Sequence, residues 1–120
     1  MKLLALVFLG AVLHGVAPRG SAQIRVAPAR VQVVAKEFSF GLSRVSVKSG
    51  PAVIELANFG QDPHDLRVQR AGARHIAGIG VVAPGKRREL SLKLPRGRYS
   101  LWCSVANHRQ RGMRATLVVR

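Results

Sequence analysis

The sequence predicts an all-β fold, a Greek-key β-sandwich of about seven or eight strands. Apolar and polar residues alternate in several short segments, and turn-forming residues separate these segments. No segment of the region after residue 22 shows a convincing helical pattern. Alternation with a period of two places one face of a strand in the core. Short strands with turn signals roughly every 8–12 residues are typical of a sandwich.

The first half of this region contains four segments that we expect to be extended. They comprise Val31–Val33, Glu37–Leu42 with Val45–Val47 as its continuation after a bend, Val53–Asn58 and Leu66–Val68. In the third segment, Ile54 and Leu56 are the expected inward pair, because they occupy alternate positions. Turn residues stand on both sides of it, at Ser49–Pro51 and at Gly60–Pro63.

The second half begins with small, irregular residues between Arg70 and Gly80, which we expect to form a loop with a weak strand around Ile76–Ile79. The pattern is then clear to the end of the chain. Alternating segments occupy Leu90–Leu94, Tyr99–Cys103 and Ala115–Arg120, and a polar loop runs from Ser104 to Gly112. These segments complete the strands of the predicted sandwich.

The first 22 residues have the layout of a secretory signal peptide. Lys2 precedes an apolar run from Leu3 to Val16, and small residues lead to Ala22. The run is interrupted and shorter than the roughly 20 apolar residues that span a bilayer. We therefore expect residues 1–22 to be removed near Ala22 and residues 23–120 to form one domain. That domain is expected to be exported, periplasmic or extracellular.

The chain is strongly basic, with 20 Lys and Arg residues against 5 Asp and Glu residues and a formal charge of +15. Nucleic acid is the usual partner of such a charge. Export argues against it, and no recognition motif for DNA or RNA is visible. We expect a monomer that meets acidic redox protein partners, with peripheral contact to an anionic envelope surface as a further possibility.

The most informative motif is the loop that carries Cys103, His108 and Met113, each separated from the next by four residues. The chain has one cysteine, so it cannot form an internal disulfide. An unpaired thiol in an exported protein is a liability unless it has a function or is buried. A thiolate, an imidazole and a weak thioether are ligands of redox copper sites. The loop therefore predicts a mononuclear copper site.

A second imidazole must come from elsewhere in the chain. His14 lies in the predicted signal peptide, and His75 lies among small residues where we expect it on the surface. His64 is the best candidate. It lies in the turn Asp62–Asp65, directly after a strand that could run beside the strand carrying Cys103.

These motifs resemble the cupredoxin family, the relatives of plastocyanin and azurin, over nearly all of Val31–Arg120. The resemblance rests on the turn Asn58–His64, on Pro84–Gly85 before an alternating strand, and on Gly97–Cys103. The spacing of the last three ligands is most similar to that of auracyanin- and rusticyanin-type members. The resemblance implies three equatorial ligands and one axial ligand, which are His64, Cys103, His108 and, as the axial one, Met113.

The family usually has Asn after its first ligand histidine, whereas this chain has Asp65. We expect its carboxylate to accept a hydrogen bond from the Ser104 hydroxyl, with a negative charge that favours Cu(II). Tyr99 matches the family's tyrosine corner, which implies a structural role. Trp102 should face away from Cys103, either as an ordinary packed aromatic or as a remote point of electron entry.

The resemblance also implies that electrons pass over the edge of His108. Arg109, Arg111 and Arg114 follow this residue, and we expect them to steer an acidic partner to it. The expected function is that of a one-electron carrier with one type 1 copper ion. Copper storage or delivery is the alternative, although the chain has no cluster of Met or His. An enzyme is not expected, because multicopper and dinuclear sites need more ligands.

Overall fold

The computed structural model describes residues 10–120. Within this range there are nine strands, and there is no helix, hence none that could cross a membrane. The strands are β1 (Ala29–Lys36), β2 (Ser39–Leu42), β3 (Ser46–Val47), β4 (Gly50–Asn58), β5 (His64–Arg70), β6 (Ala77–Val82), β7 (Arg87–Leu94), β8 (Gly97–Trp102) and β9 (Arg114–Val119).

Two mixed sheets form the sandwich. One sheet has the order β2-β1-β4-β7 and the other has the order β3-β9-β8-β5-β6. The β1/β4 and β3/β9 pairs are parallel, and the remaining pairs are antiparallel. The predicted all-β sandwich is confirmed. It has nine strands rather than seven or eight, because the short β2 and β3 form separate strands.

Apolar side chains from both sheets meet in one core. The alternating residues Val31, Val33 and Ala35 of β1 are at most 1% exposed. Ile54 and Leu56 of β4 are fully buried, which confirms them as an inward pair. Removal of this much apolar surface from water is the main force that stabilises such a domain.

The structure corrects one predicted strand. Glu37 and Phe38 lie in the turn between β1 and β2, since Lys36 already pairs with Ser39. The alternating pattern that begins at Glu37 continues through this turn, so the pattern alone did not reveal where the chain reverses. This position matters because the Glu37 side chain contacts His64 and the Phe38 side chain contacts His108.

The weak strand predicted near Ile76 is β6, which begins at Ala77 and runs to Val82. It pairs with β5 alone, at the edge of its sheet. Gly78 permits the close pairing, because a Cβ there would lie 2.4 Å from the carbonyl oxygen of Leu66. Small residues therefore weaken the apolar pattern at a position where the backbone needs space.

Tyr99 ties β8 to the turn that precedes it. Its hydroxyl donates a hydrogen bond to the carbonyl oxygen of Pro95 at 2.7 Å. Burial raises the pKa of this phenol above its ordinary value, so the donor proton is retained at neutral pH. This geometry agrees with the structural role expected of a tyrosine corner.

Candidate metal centre

Three potential metal ligands meet at one end of the sandwich. His64 is the first residue of β5, Cys103 follows the last residue of β8, and His108 lies in the loop before β9. Because β5 and β8 are adjacent and antiparallel, the beginning of one lies beside the end of the other. Sheet topology thus brings His64 and Cys103 together. The strand before His64 was expected beside the strand carrying Cys103, but that strand, β4, belongs to the other sheet, and β5 takes its place.

The donor atoms of these residues lie within 4.8 Å of one another. The Nδ1 atoms of His64 and His108 are 3.2 Å apart, and the Cys103 Sγ atom lies 3.9 and 3.7 Å from them. His64 and Cys103 are fully buried, and His108 is 6% exposed. Two imidazoles and one thiol in this arrangement fit copper or zinc, which favour nitrogen and sulfur ligands.

Met113 is also fully buried, and its backbone is bonded to the same loop. Its carbonyl oxygen accepts a hydrogen bond from the Cys103 N–H, and its own N–H donates to the His108 carbonyl, both at 3.1 Å. Backbone hydrogen bonds therefore close the loop that carries the three equally spaced residues. A ligand role for the Met113 thioether remains a prediction.

Gly112 allows this loop to close. Its φ is +120°, a conformation that other residues rarely adopt, and a Cβ there would lie 2.9 Å from the Phe38 carbonyl oxygen. The loop before β9 and the turn between β1 and β2 therefore touch through their backbones. A larger residue at position 112 would separate them.

Asp65 connects the two ligand-bearing segments. Its Oδ1 accepts a hydrogen bond from the Ser104 N–H at 2.6 Å, and its Oδ2 accepts one from the Ser104 hydroxyl. Asp65 is 3% exposed, and an Arg67 Nη2 atom lies 3.4 Å from Oδ2. The connection to Ser104 predicted from the sequence is confirmed, with a backbone hydrogen bond in addition.

The Cys103 thiol is sealed from solvent, and this burial raises its pKa. A free thiol at this place is thus favoured in its neutral form. A metal ion must displace the thiol proton in order to bind, because the thiolate is the ligand. The site can therefore hold a cysteine that is inert without metal and a strong ligand with it.

Sequence reasoning missed the contribution of the turn between β1 and β2. The Glu37 Oε1 atom lies 2.9 Å from His64 Nε2, and the Phe38 ring meets the His108 ring edge-on with centroids 5.0 Å apart. One signal was available, since Glu37 is one of only 5 acidic residues in a basic chain. The assignment of this segment to a strand concealed its role.

The arginines are arranged differently from the expected cluster around His108. Arg111 lies over the Phe38 ring at 3.6 Å from its centroid, and Phe38 in turn covers His108. Arg109 instead lies over the Trp102 ring at 4.4 Å. Arg114 pairs with Trp102 across β8 and β9. Alternation along β8 turns Trp102 away from the core side occupied by Cys103, which explains this separation.

Trp102 is 8% exposed, so it is a packed residue under Arg109 and not an open aromatic surface. His75 is exposed in the loop before β6, as predicted. His14 lies in the exposed segment before β1. Residues 1–9 of the predicted signal peptide lie outside the described residues, and the cleavage near Ala22 remains a prediction.

No family model matches the chain, and no curated protein sequence does. Solved structures do match. Auracyanin of Roseiflexus castenholzii superposes with a TM-score of 0.66 at 14% identity, over 79% of this chain and 99% of that chain. Auracyanin A, a blue copper protein of Chloroflexus aurantiacus, gives 0.64 at 17% identity, over 78% and 100%.

The chain therefore has the cupredoxin fold, which confirms the resemblance predicted from its motifs. A reduced amicyanin variant superposes with a TM-score of 0.59 at 18% identity, over 79% of this chain and 86% of that chain. The likeness extends over nearly all of the auracyanins.

Proposed function

We propose that this protein is an exported type 1 copper protein that carries single electrons between redox partners. One copper ion would be held by His64, Cys103 and His108 as equatorial ligands and by Met113 as the axial ligand. The observation that carries the proposal is the convergence of one thiol and two imidazoles within 4.8 Å, buried at the end of a cupredoxin fold. Bound copper would supply the Cu(II)/Cu(I) couple.

The protein's contribution is to hold these donors in place. Asp65 connects the beginning of β5 to the backbone after Cys103, and backbone hydrogen bonds close the loop around His108 and Met113. A set of two nitrogens, one thiolate and a weak thioether lies between the geometries that Cu(I) and Cu(II) prefer. A rigid, buried set of this kind limits the rearrangement that accompanies each electron.

Copper storage or delivery is the alternative function. Delivery requires ligands that a recipient can reach, whereas His64 and Cys103 are fully buried and His108 is 6% exposed. The chain has only two methionines, of which one is Met1. Burial therefore favours retention of the ion and electron transfer. We propose no enzymatic activity, because multicopper and dinuclear sites need more ligands than the four proposed for this site.

The proposal is tested by adding Cu(II) to the purified metal-free protein. We expect one equivalent to produce an intense visible thiolate-to-copper absorption band, which disappears on reduction and returns on reoxidation. Zinc added first should compete for the same site, because imidazole and thiolate also bind it. A protein that binds Cu(II) without this band would contradict the proposal.

The proposed partners are acidic redox proteins that approach the His108 end of a monomer, and an anionic envelope surface is a further proposed contact. Support comes from the net charge of residues 23–120, which is 18 − 5 = +13 without Lys2 and Arg19, and from Arg111, which lies over Phe38 beside His108. Phe38 is half-buried and Arg111 is exposed. An apolar ring under a positive charge fits a partner with acidic residues around its own redox centre.

Steering of this kind predicts a dependence on salt. We expect the reduced protein to transfer its electron to anionic hexacyanoferrate(III) more slowly as ionic strength rises, since the Debye length falls to about 8 Å at physiological salt. A cationic cobalt(III) complex should show the opposite trend. Arg111→Gln should reduce both slopes more than Arg74→Gln, a control in the exposed loop after β5. Equal slopes in the two variants would contradict a steering role for Arg111.

A further inference from the structure

The turn between β1 and β2 supports both histidines of the metal centre. Glu37 bonds to His64, and Phe38 packs against His108. These residues lie on the sheet opposite to the one that carries His64. The centre is therefore supported from both sheets, although all four proposed ligands lie on the second sheet or on its loops.

The Glu37 contact determines which nitrogen of His64 carries a proton. The Glu37 Oε1 atom lies 2.9 Å from His64 Nε2, and a carboxylate can only accept. The Nε2 atom must therefore be the donor. In a neutral imidazole with its proton on Nε2, the Nδ1 atom has a free lone pair. That atom is the one that faces Cys103 and His108.

The same carboxylate organises the loop that leads into His64. Oε1 also accepts hydrogen bonds from the backbone N–H groups of Gln61 and Asp62, both at 2.8 Å. The pKa of Glu37 is lowered from 4.5 to about 2, chiefly by the hydrogen bond from the Asp62 N–H. The hydrogen bond from His64 is the next largest effect that lowers this pKa. Three donors thus converge on one oxygen.

Gly60 provides the space for this arrangement. A Cβ at position 60 would lie 2.2 Å from Glu37 Oε1, so a side chain there would displace the carboxylate. Asn58 fixes the other side of the loop, because its Oδ1 accepts from the Gly60 N–H and its Nδ2 donates to the Asp62 and Val82 carbonyls. Hydrogen bonds to the Glu37 carboxylate and to the Asn58 side chain thus hold the loop together.

We propose that Glu37 is a positioning residue of the metal centre, which holds His64 in the Nε2–H tautomer before any metal arrives and favours the divalent over the monovalent ion when metal is bound. A carboxylate on the outer nitrogen of a ligating imidazole fixes its orientation and raises its basicity. More basic nitrogen stabilises the more highly charged ion. The second half of this inference rests on the proposed copper function, whereas the first half does not.

The first experiment uses the metal-free protein. Long-range ¹H–¹⁵N NMR spectra, recorded above the ordinary pKa of histidine, report the tautomer of each imidazole. We expect His64 to be protonated at Nε2 in the wild type and in Glu37→Gln, whose amide oxygen can still accept. Glu37→Ala should give a mixture of tautomers. A wild-type His64 protonated at Nδ1, or a tautomer unaffected in Glu37→Ala, would overturn the proposal.

The second experiment separates charge from position by using Glu37→Gln. Its control is Glu89→Gln. This variant removes an equal charge from a half-exposed side chain of β7 that pairs with Arg30 of β1. We expect Glu37→Gln to lose more affinity for Cu(II) than for Cu(I), with an upward shift in reduction potential that Glu89→Gln lacks. Glu37→Ala should lose about 10–100-fold in affinity for Cu(II).

If the role of Glu37 were purely structural, Glu37→Ala would lose stability, but Glu37→Gln and Glu89→Gln would have the same reduction potential. Equal potentials in these two variants would overturn the second half of the proposal. Failure of the copper function is a separate outcome. If the wild type bound copper without a blue band, the NMR result on the metal-free protein would still decide whether Glu37 sets the tautomer of His64.

Discussion

Replacement of Cys103 by serine is expected to remove the visible copper band completely. The band requires a thiolate bound to Cu(II), and Cys103 is the only cysteine in the chain. A serine hydroxyl remains protonated near neutral pH and is a harder ligand, so it replaces neither the charge nor the softness of sulfur. The affinity for copper should fall beyond the roughly 10–100-fold that removal of an outer hydrogen-bond partner costs.

His75→Ala is the matched control for this variant, because His75 is exposed and lies in a loop outside the site. It should keep the band and its stoichiometry. Cys103→Ser should also keep the fold, since the Cys103 backbone bond to Met113 does not involve the side chain. Circular dichroism of the two metal-free proteins checks this point. A blue Cys103→Ser variant would exclude Cys103 as the ligand.

Replacement of Asp65 by asparagine is expected to raise the reduction potential. Asparagine can still accept hydrogen bonds from Ser104 through one oxygen, but the negative charge is lost. A buried charge near a metal changes the balance of its oxidation states by about 1–2 kcal/mol at an effective dielectric constant near 20. Since 59 mV is a tenfold change for one electron, the shift should be about 40–90 mV upward.

Asp65→Ala removes the hydrogen bonds as well as the charge. It should therefore lower the unfolding midpoint of the metal-free protein, because the Ser104 N–H loses its partner. Asp65→Asn should retain more of that stability. Voltammetry of both variants beside Glu89→Gln measures the shift and its control. A potential that stays constant or falls in Asp65→Asn would show that the carboxylate charge does not act on the metal.

Much of the fold was predictable because its signals are local. Alternation at Leu90–Leu94 and Tyr99–Cys103 depends only on a strand having one buried face. The relation of Cys103, His108 and Met113 is also local, since all three belong to one loop. His64 required an assumption about topology, namely that the strand before it lies beside the strand carrying Cys103. That assumption was wrong, because β4 belongs to the other sheet. His64 reaches Cys103 because it begins β5, which pairs with β8.

The contacts that the sequence did not reveal join distant segments. Glu37 reaches His64 across 27 positions, and the pattern around Glu37 continues from β1 into β2 without a visible break. The arginines of the last loop were expected around His108 because they are close to it in sequence. Arg109 lies instead over Trp102, since cations favour an aromatic face and that ring points away from Cys103.

The proposed function requires the protein to keep its copper while it exchanges electrons. The most direct test is repeated electrochemical reduction and reoxidation of the copper-loaded protein in the presence of a Cu(I)-specific chelator, followed by the visible band. We expect a one-electron Nernst response and full recovery of the band after each cycle, because the ligands are buried and fixed by both sheets. Transfer of the copper to the chelator on the first reduction would contradict the electron-carrier function and support copper delivery.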